Sequence, residues 1–296
     1  MAYGCKILAD SESVMGHRIT TMEVTFPRFV LAEFNTHRVF SRNSASSRAI
    51  PVRTILDRVK NDPAGPVWWG QNQKGMGAAV ELTGNDKIEA QARWLEARDN
   101  ALRSAETLLN IGGPEQGLHK QITNRLLEPW MWQTVICTAT EWSNFFALRC
   151  NPFAQPEIRV IADMMREAYE SSEPVLLGSG DWHLPLVRDE DRLAAETHVD
   201  PDLLLKLSTA RCARVSYLTH DGRRDLEADV SLHDSLVSSG HMSPCEHAAT
   251  PLSALGMIGA GEFSGNFRGW VQYRKTLIHE SDFGQAELAR DGATNE

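Results

Sequence analysis

The spacing of apolar positions changes along the chain, and those changes divide it into elements. Residues 18 to 35 alternate and then run apolar: Ile19, Met22, Val24 and Phe26 precede Pro27, and Phe29 to Phe34 follow it. That pattern predicts two strands, or one strand broken at Pro27. Pro51 suits the first turn of a short helix with Ile55 and Val59 on one side. From Asp86 to Ile111 the period is helical: Ile88, Leu95, Leu102 and Leu109 recur every seven residues, Asp86 with Glu89 resembles a capping box, and Gly112-Gly113-Pro114 ends the run. A second helix is predicted from about Gln116 to Glu128. Trp130 to Ala139 reads as a buried or β-rich stretch. A helix from Thr140 to Cys150 follows, with Trp142, Phe145 and Phe146 as its apolar face, and spacing places Arg149 on that face. Pro156 opens another helix, with Ile158, Ile161, Met165 and Tyr169 as core. Residues 171 to 192 read as loop. Helical segments follow near Pro201 and from Arg223 to Ser239, where Gly240 is a natural C-cap. Residues 266 to 275 are β-like or turning. Together these predict a mixed α/β fold, one domain over residues 1–280 with a polar tail over 281–296, its central sheet flanked by long helices.

One stretch fits no apolar period. Thr36 to Arg48 holds three arginines, a histidine, an asparagine and four serines, with Val39, Phe40 and Ala45 as its apolar filling. A helix there would lack a stripe wide enough to dock on a core, and Ser and Asn compete for backbone hydrogen bonds. The segment is therefore a solvated loop or a surface that hydrogen-bonds an anion through guanidinium and backbone donors. The Gly/Pro-punctuated loop over residues 61 to 77 carries Trp68 and Trp69, which either stack on a flat ring or pin the loop to the core.

Bulk properties narrow the chemistry. A net charge of −9 argues against wholesale binding of nucleic acid or anionic membrane, so any anion site is a local arginine cluster. Five scattered cysteines without C-x-x-C spacing fit a reducing cytoplasm. The N-terminus lacks a signal-peptide pattern, and no stretch has the apolar length of a membrane span. His241, Cys245 and His247 have zinc-ligand chemistry but supply three ligands with no second pair, so no metal is assigned. A Cys245–His247 nucleophile pair is disfavoured because such pairs come from distant parts of a chain. Neither G-x-G-x-x-G nor a Walker sequence occurs.

The series His37-Arg38-x-x-Ser41-x-Asn43-x-x-Ser46-x-Arg48 resembles the signature of the flavin-dependent thymidylate synthases, with Thr36 in place of the leading arginine. Ala213-Arg214-Val215-Ser216 and Gly240-His241-Met242-Ser243-Pro244-Cys245-Glu246-His247 resemble that family's flavin-holding segments. Asn144-Phe145-Phe146-Ala147-Leu148-Arg149 followed by Phe153-Ala154-Gln155-Pro156-Glu157-Ile158 resembles its later helix. The order differs, since the flavin-holding segments precede the signature in the family and follow it here, which looks like a circular permutation. A family glutamine is Glu33 here, and two flavin-contact positions are Thr138 and Thr140.

The resemblance implies an α+β fold with a mostly antiparallel central sheet and a homotetramer with flavin sites between subunits. It implies reductive methylation of dUMP to dTMP, with FAD recharged by NADPH and methylenetetrahydrofolate as the one-carbon donor. It further implies roles by residue. Ser46, Ser47, Arg48, Arg125, Arg149 and Glu33 would bind the pyrimidine deoxynucleotide. His37, Arg38, Ser41, Asn43, Asn144, Ser216, His241 and Ser243 would line the flavin. Arg149, Ser46 and His241 would take part in catalysis. Two rivals stand beside this reading: a flavoenzyme that hydroxymethylates a pyrimidine deoxynucleotide, and a nucleotide- or flavin-binding homologue without turnover.

Overall fold

The computed structural model describes residues 2–113, 116–215, 225–253, 262–278, 280–282 and 284. Strands β1 (Gly4–Ser13) and β2 (Arg18–Pro27) form a long antiparallel hairpin with a register shift between Ile7 and Ala9. Pro27 ends the ladder, since it has no N–H to donate. The apolar run after it is not the predicted strand: Arg28–Val30 is a 3-10 turn and Leu31–Asn35 is α1. Phe34 from this turn is fully buried and meets Phe26, Phe40 and Phe145 at 5.0, 5.7 and 5.9 Å between ring centroids.

The Arg/Ser-rich segment is neither a free loop nor a helix start. Its middle, Ser41–Ser44, is the edge strand β3, paired antiparallel with β4 (Trp132–Ala139). The helix predicted after Pro51 is present as α2 (Val52–Asn61). The long helix, α3 (Gly84–Asn110), begins at Thr83 without a side-chain cap, so the Asp86–Glu89 box is not formed. Of its heptad residues Leu102 is buried, whereas Ile88 and Leu95 face outward. The helix expected over 116–128 is a single turn, α4 (Lys120–Thr123), followed by a 3-10 stretch over Asn124–Trp130 that accommodates Pro129. Then come α5 (Ser143–Arg149), α6 (Pro156–Ser171) and β5 (Val175–Leu177). Helices α7 (Asp189–Glu196), α8 (Leu203–Ala213) and α9 (Leu226–Ser238) precede the short strands β6 (Ala249–Pro251), β7 (Phe263–Ser264), β8 (Phe267–Arg268) and β9 (Trp270–Gln272).

The central sheet runs β3-β4-β2-β1-β5, antiparallel except for the β1–β5 pair. Strand alternation gives it two different faces. Met22, Val24 and Phe26 of β2 with Val135, Cys137 and Ala139 of β4 pack under α5 and α6 through Phe145, Ile158, Ile161 and Met165. Ile19, Thr21, Ile136 and Thr138 occupy the opposite face. There Ile136 packs on Cys212 and Val215, and Ile19 packs on Ala249, Phe267 and Trp270. The late part of the chain thus covers the face of the sheet that its polar threonines line. A separate cluster joins α2, α3 and the 124–131 stretch through Ile55, Val59, Leu102, Leu127 and Trp130. Trp69 meets Trp94 edge-on at 6.4 Å, so it pins the 61–77 loop to α3.

Buried Arg211 ties α7, α8 and α9 together. It donates to Asp191 at 2.8 Å, to Asp229 at 3.0 Å and to the Leu186 carbonyl at 2.9 Å. No helix among the described residues is long and apolar enough to cross a membrane. Of the tail, only residues 281, 282 and 284 are among the described residues.

Candidate active site

Arg149 ends α5, where a cation favours the helix dipole. The apolar side of α5 docks through Trp142 and Phe145 on Phe40, at 4.7 and 5.1 Å. Helical spacing predicted a guanidinium inside the core, but Arg149 is half-buried and needs no internal carboxylate. Its Nε donates to His37 Nε2 at 2.9 Å, and its Nη2 reaches the Thr36 hydroxyl at 3.2 Å and the Glu33 carbonyl at 3.4 Å. All three acceptors are neutral. His37 is buried between Phe40, which it stacks on at 5.8 Å, and the edge of Phe145 at 4.8 Å. Burial first, then Arg149 and Arg42, push its pKa down to about 4, so the ring is neutral near pH 7. An accepting Nε2 leaves the ring proton on Nδ1. Arg42 supports the same turn by donating to the His37 carbonyl at 3.2 Å. Among the described residues no carboxylate pairs with Arg149, and the buried Glu33 Oε2 has no hydrogen-bond donor.

A second group lies where β3 meets the late segment. With its amide turned so that the nitrogen faces these acceptors, Asn43 lies 3.2 Å from the Ser243 carbonyl, 3.2 Å from His247 Nε2 and 3.1 Å from the Arg42 carbonyl, and donates its two hydrogens among them. From His247 a buried chain crosses the sheet. His247 Nδ1 lies 2.8 Å from Thr138 Oγ1, Thr138 lies 2.7 Å from Thr21, Thr21 lies 2.8 Å from His183 Nε2, and His183 Nδ1 lies 2.9 Å from Ser11 Oγ. With Asn43 donating, every member passes one hydrogen bond onward and both histidines are neutral. Burial pushes the pKa of each ring down to about 3. Ser41 is buried and engaged, donating to Asn266 Oδ1 and accepting from Gln272 Nε2, both at 3.2 Å. Ser243 is exposed at the head of the 3-10 turn over Ser243–Glu246. His241 is also exposed, its Nδ1 3.0 Å from Ser239 Oγ. Burial pushes the Cys245 thiol up to about 12, which argues against a nucleophile there.

A third group lies past the other end of β3. Ser47 is buried and donates to Glu128 Oε1 at 3.0 Å; Arg125 donates to the same oxygen at 2.7 Å, and Arg28 Nη2 lies 2.8 Å from it. Ser47 and Arg125 meet on Glu128, Asn43 lies against Ser243 and Arg149 against His37, while no contact links Arg149 to Ser47 among the described residues. Ser46 is half-buried on the same turn. Arg38, Arg48 and Asn144 are exposed, with no hydrogen bond or ion pair among the described residues. Ser216 lies outside the described residues.

Residues 6–175, more than half of the chain, match the family described as Thymidylate synthase complementing protein, the flavin-dependent thymidylate synthases. The chain belongs to this family. Among curated proteins none matches it. Two solved structures of a UMP/dUMP methylase, PolB from Streptomyces cacaoi, are similar to it. The form bound with 5-Br UMP shares 16% identity over 59% of this chain and 90% of that one, at a TM-score of 0.45. The form bound with 5-Br dUMP shares 16% identity over 59% and 91%, at a TM-score of 0.47.

Family membership supports a nucleotide methyltransferase type of enzyme. The match to this thymidylate synthase complementing family is one unbroken stretch that ends before Ala213, so the two late segments stand outside it. Sequence reasoning missed Arg28, Glu128, Thr21 and His183. Apart from the i,i+3 pair of Arg125 with Glu128, their partners lie tens to more than a hundred residues away, where no local spacing signals a contact.

Proposed function

We propose that the chain carries out flavin-dependent reductive methylation of dUMP to dTMP, with FAD as resident cofactor and NADPH and methylenetetrahydrofolate as co-substrates. One observation carries the reading. The Arg149 guanidinium is held by neutral groups alone, and the same helical turn carries a Glu33 carboxylate oxygen without a donor among the described residues. A pyrimidine ring complements that pair, since its carbonyls accept from a guanidinium and its ring N–H donates to a carboxylate. The donor set also suits FAD and a nucleotide phosphate. Arg38, Arg48 and Arg149 have no carboxylate partner among the described residues, and guanidinium is the group of choice for phosphate.

When bound, FAD would supply the hydride, recharged by NADPH. The chain's own part is positioning and polarisation. Arg149 would steady negative charge as it builds on a ring oxygen. Neutral His37 would fix the guanidinium without competing for that charge. His37, Arg38, Ser41, Asn43, Asn144, Ser216, His241 and Ser243 would hold the flavin, and Ser46, Ser47, Arg48 and Arg125 the nucleotide. Arg149 and Ser47 share no contact among the described residues, and in a homotetramer other copies would complete the site. The exposed Leu148 and Phe153 beside Arg149 offer apolar surface for that contact. Docking of the late segment on β3 through Asn43, Ser243 and His247 supports a circularly permuted family order.

A homologue that binds without turnover is favoured by Thr138 and Thr140, whose hydroxyls already bond His247, Thr21 and the Arg268 amide. NADPH oxidation dependent on dUMP and methylenetetrahydrofolate separates the two. Wild-type protein should show it, and R149A should keep its flavin absorbance while turnover falls by roughly a hundredfold or more. Equal rates in both proteins would remove Arg149 from the site, and no dUMP-dependent oxidation in wild type would favour the second reading.

A further inference from the structure

Three donors from three parts of the chain converge on one carboxylate oxygen. Glu128 Oε1 accepts from Ser47 Oγ at 3.0 Å and Arg125 Nη1 at 2.7 Å, and Arg28 Nη2 lies 2.8 Å away. The seat is built rather than incidental. Asn124, fully buried beneath it, donates to the carbonyls of Ser47 at 2.7 Å and Ile50 at 3.0 Å, which fixes the turn that presents the Ser47 hydroxyl. Arg28 is held from behind by Gln133. Two guanidinium groups around one carboxylate leave the seat with net positive charge. The Arg125 side chain is half-exposed and that of Glu128 one quarter exposed, so a ligand can reach the oxygen from solvent. Two guanidinium forks and a hydroxyl around a single oxygen is also how a phosphate oxygen is held.

We propose that Glu128 is an internal anion occupying the seat for a nucleotide's phosphate, and that the nucleotide binds by displacing it. On this account Arg28 joins Ser47 and Arg125 as a phosphate ligand, and Glu128 sets how strongly the protein distinguishes a nucleotide from its nucleoside. The pyrimidine-nucleotide identity of the ligand rests on the proposed function above; the displacement does not. The bland alternative is that Glu128 organises the two arginines and a phosphate binds beside it. The two accounts differ in sign, because removing the carboxylate frees the donors in the first and scatters them in the second.

Calorimetric titration of the full chain and of E128Q with dUMP, deoxyuridine and inorganic phosphate reads that sign. Displacement predicts that E128Q binds dUMP and inorganic phosphate about tenfold more tightly, with deoxyuridine unchanged. R28Q provides an arm independent of E128Q and should bind dUMP about tenfold more weakly, again with deoxyuridine unchanged. Phosphate and dUMP binding that is equal or weaker in E128Q overturns the inference, as does phosphate binding to neither protein. Tighter inorganic phosphate in E128Q, with neither dUMP nor deoxyuridine bound, would keep the displacement and sink the pyrimidine-nucleotide reading. Should E128Q fail to fold, unchanged dUMP binding in R28Q overturns the proposal by itself.

Discussion

Acid should unfold this protein early, and two of its buried histidines set a scale for the loss. His183 and His247 are buried on the covered face of the sheet, each with both ring nitrogens engaged by neutral partners. Burial lowers both pKa values from 6.5 to about 3. In the unfolded chain each ring binds a proton near pH 6.5, so these two rings alone give the unfolded state two more protons than the folded one as pH falls below that value, and His37, lowered to about 4, adds to the same loss. The stabilisation is complete above pH 6.5 and is lost progressively toward pH 3. Each ring contributes a slope of about 1.4 kcal/mol per pH unit, and the pair about 2.7. Two pH units therefore remove about 5 kcal/mol, comparable to the whole stability of many domains. Urea unfolding followed by tryptophan fluorescence, from about pH 7.5 down to about pH 5, measures this slope. H183Q isolates one ring. It should be less stable at neutral pH, because the Thr21 and Ser11 hydroxyls lose a partner at about 1–3 kcal/mol. Its slope below pH 6.5 should be shallower than wild type by about 1.4 kcal/mol per unit. Equal slopes in the two proteins would refute the reasoning.

Three further outcomes are expected. Asp229 accepts from Arg211 at 3.0 Å, forms an ion pair with Arg214 Nε at 3.0 Å and is almost fully buried, so D229N should cost about 3–5 kcal/mol in chemical denaturation, and an unchanged midpoint would contradict the buried ion group. Gly269 sits at φ +74°, and a Cβ there would lie 2.3 Å from the His17 ring; G269A should therefore lower the melting temperature by several degrees, and a neutral effect would show that the β8–β9 turn is misplaced. Burial raises the thiol pKa of Cys5 and Cys245 to about 12 and of Cys150 to about 11, and that of Cys137 and Cys212 further, so a thiol reagent near pH 8 should label the native protein slowly and all five cysteines once it is denatured. Rapid native labelling at Cys245 would reopen the nucleophile reading.

What the sequence made legible follows the range of the contacts involved. Helix α6 could be read because Pro156, Ile158, Ile161 and Met165 state its start and its core side within ten residues. Strand β4 could be read because it is buried on both faces and is rich in β-branched residues, Thr134, Val135, Ile136 and Thr138. Strand β3 could not, since an edge strand of Ser, Arg and Asn is defined by its ladder to β4, some ninety residues on. The run from Phe29 to Phe34 was ambiguous for a different reason: a short continuous apolar stretch has no period, and burial of Phe34 in an aromatic cluster is compatible with a turn of helix as well as a strand. Motif spacing did name Arg149, His37, Asn43 and Ser243, and the structure joins Arg149 to His37 and Asn43 to Ser243. It could not show that Ser41 is spent on Asn266 and Gln272, or that Ser47 and Arg125 already hold a carboxylate.

The central claim, that Arg149 and the signature segment serve methyl transfer to a pyrimidine deoxynucleotide, is tested most directly by the mass of the product. Purified protein supplied with FAD, NADPH, methylenetetrahydrofolate and dUMP should yield a nucleotide heavier than dUMP by one methylene group, and R149A should yield none. A product carrying an additional oxygen would identify a hydroxymethylating enzyme, and unaltered dUMP from flavin-loaded wild-type protein would contradict the account.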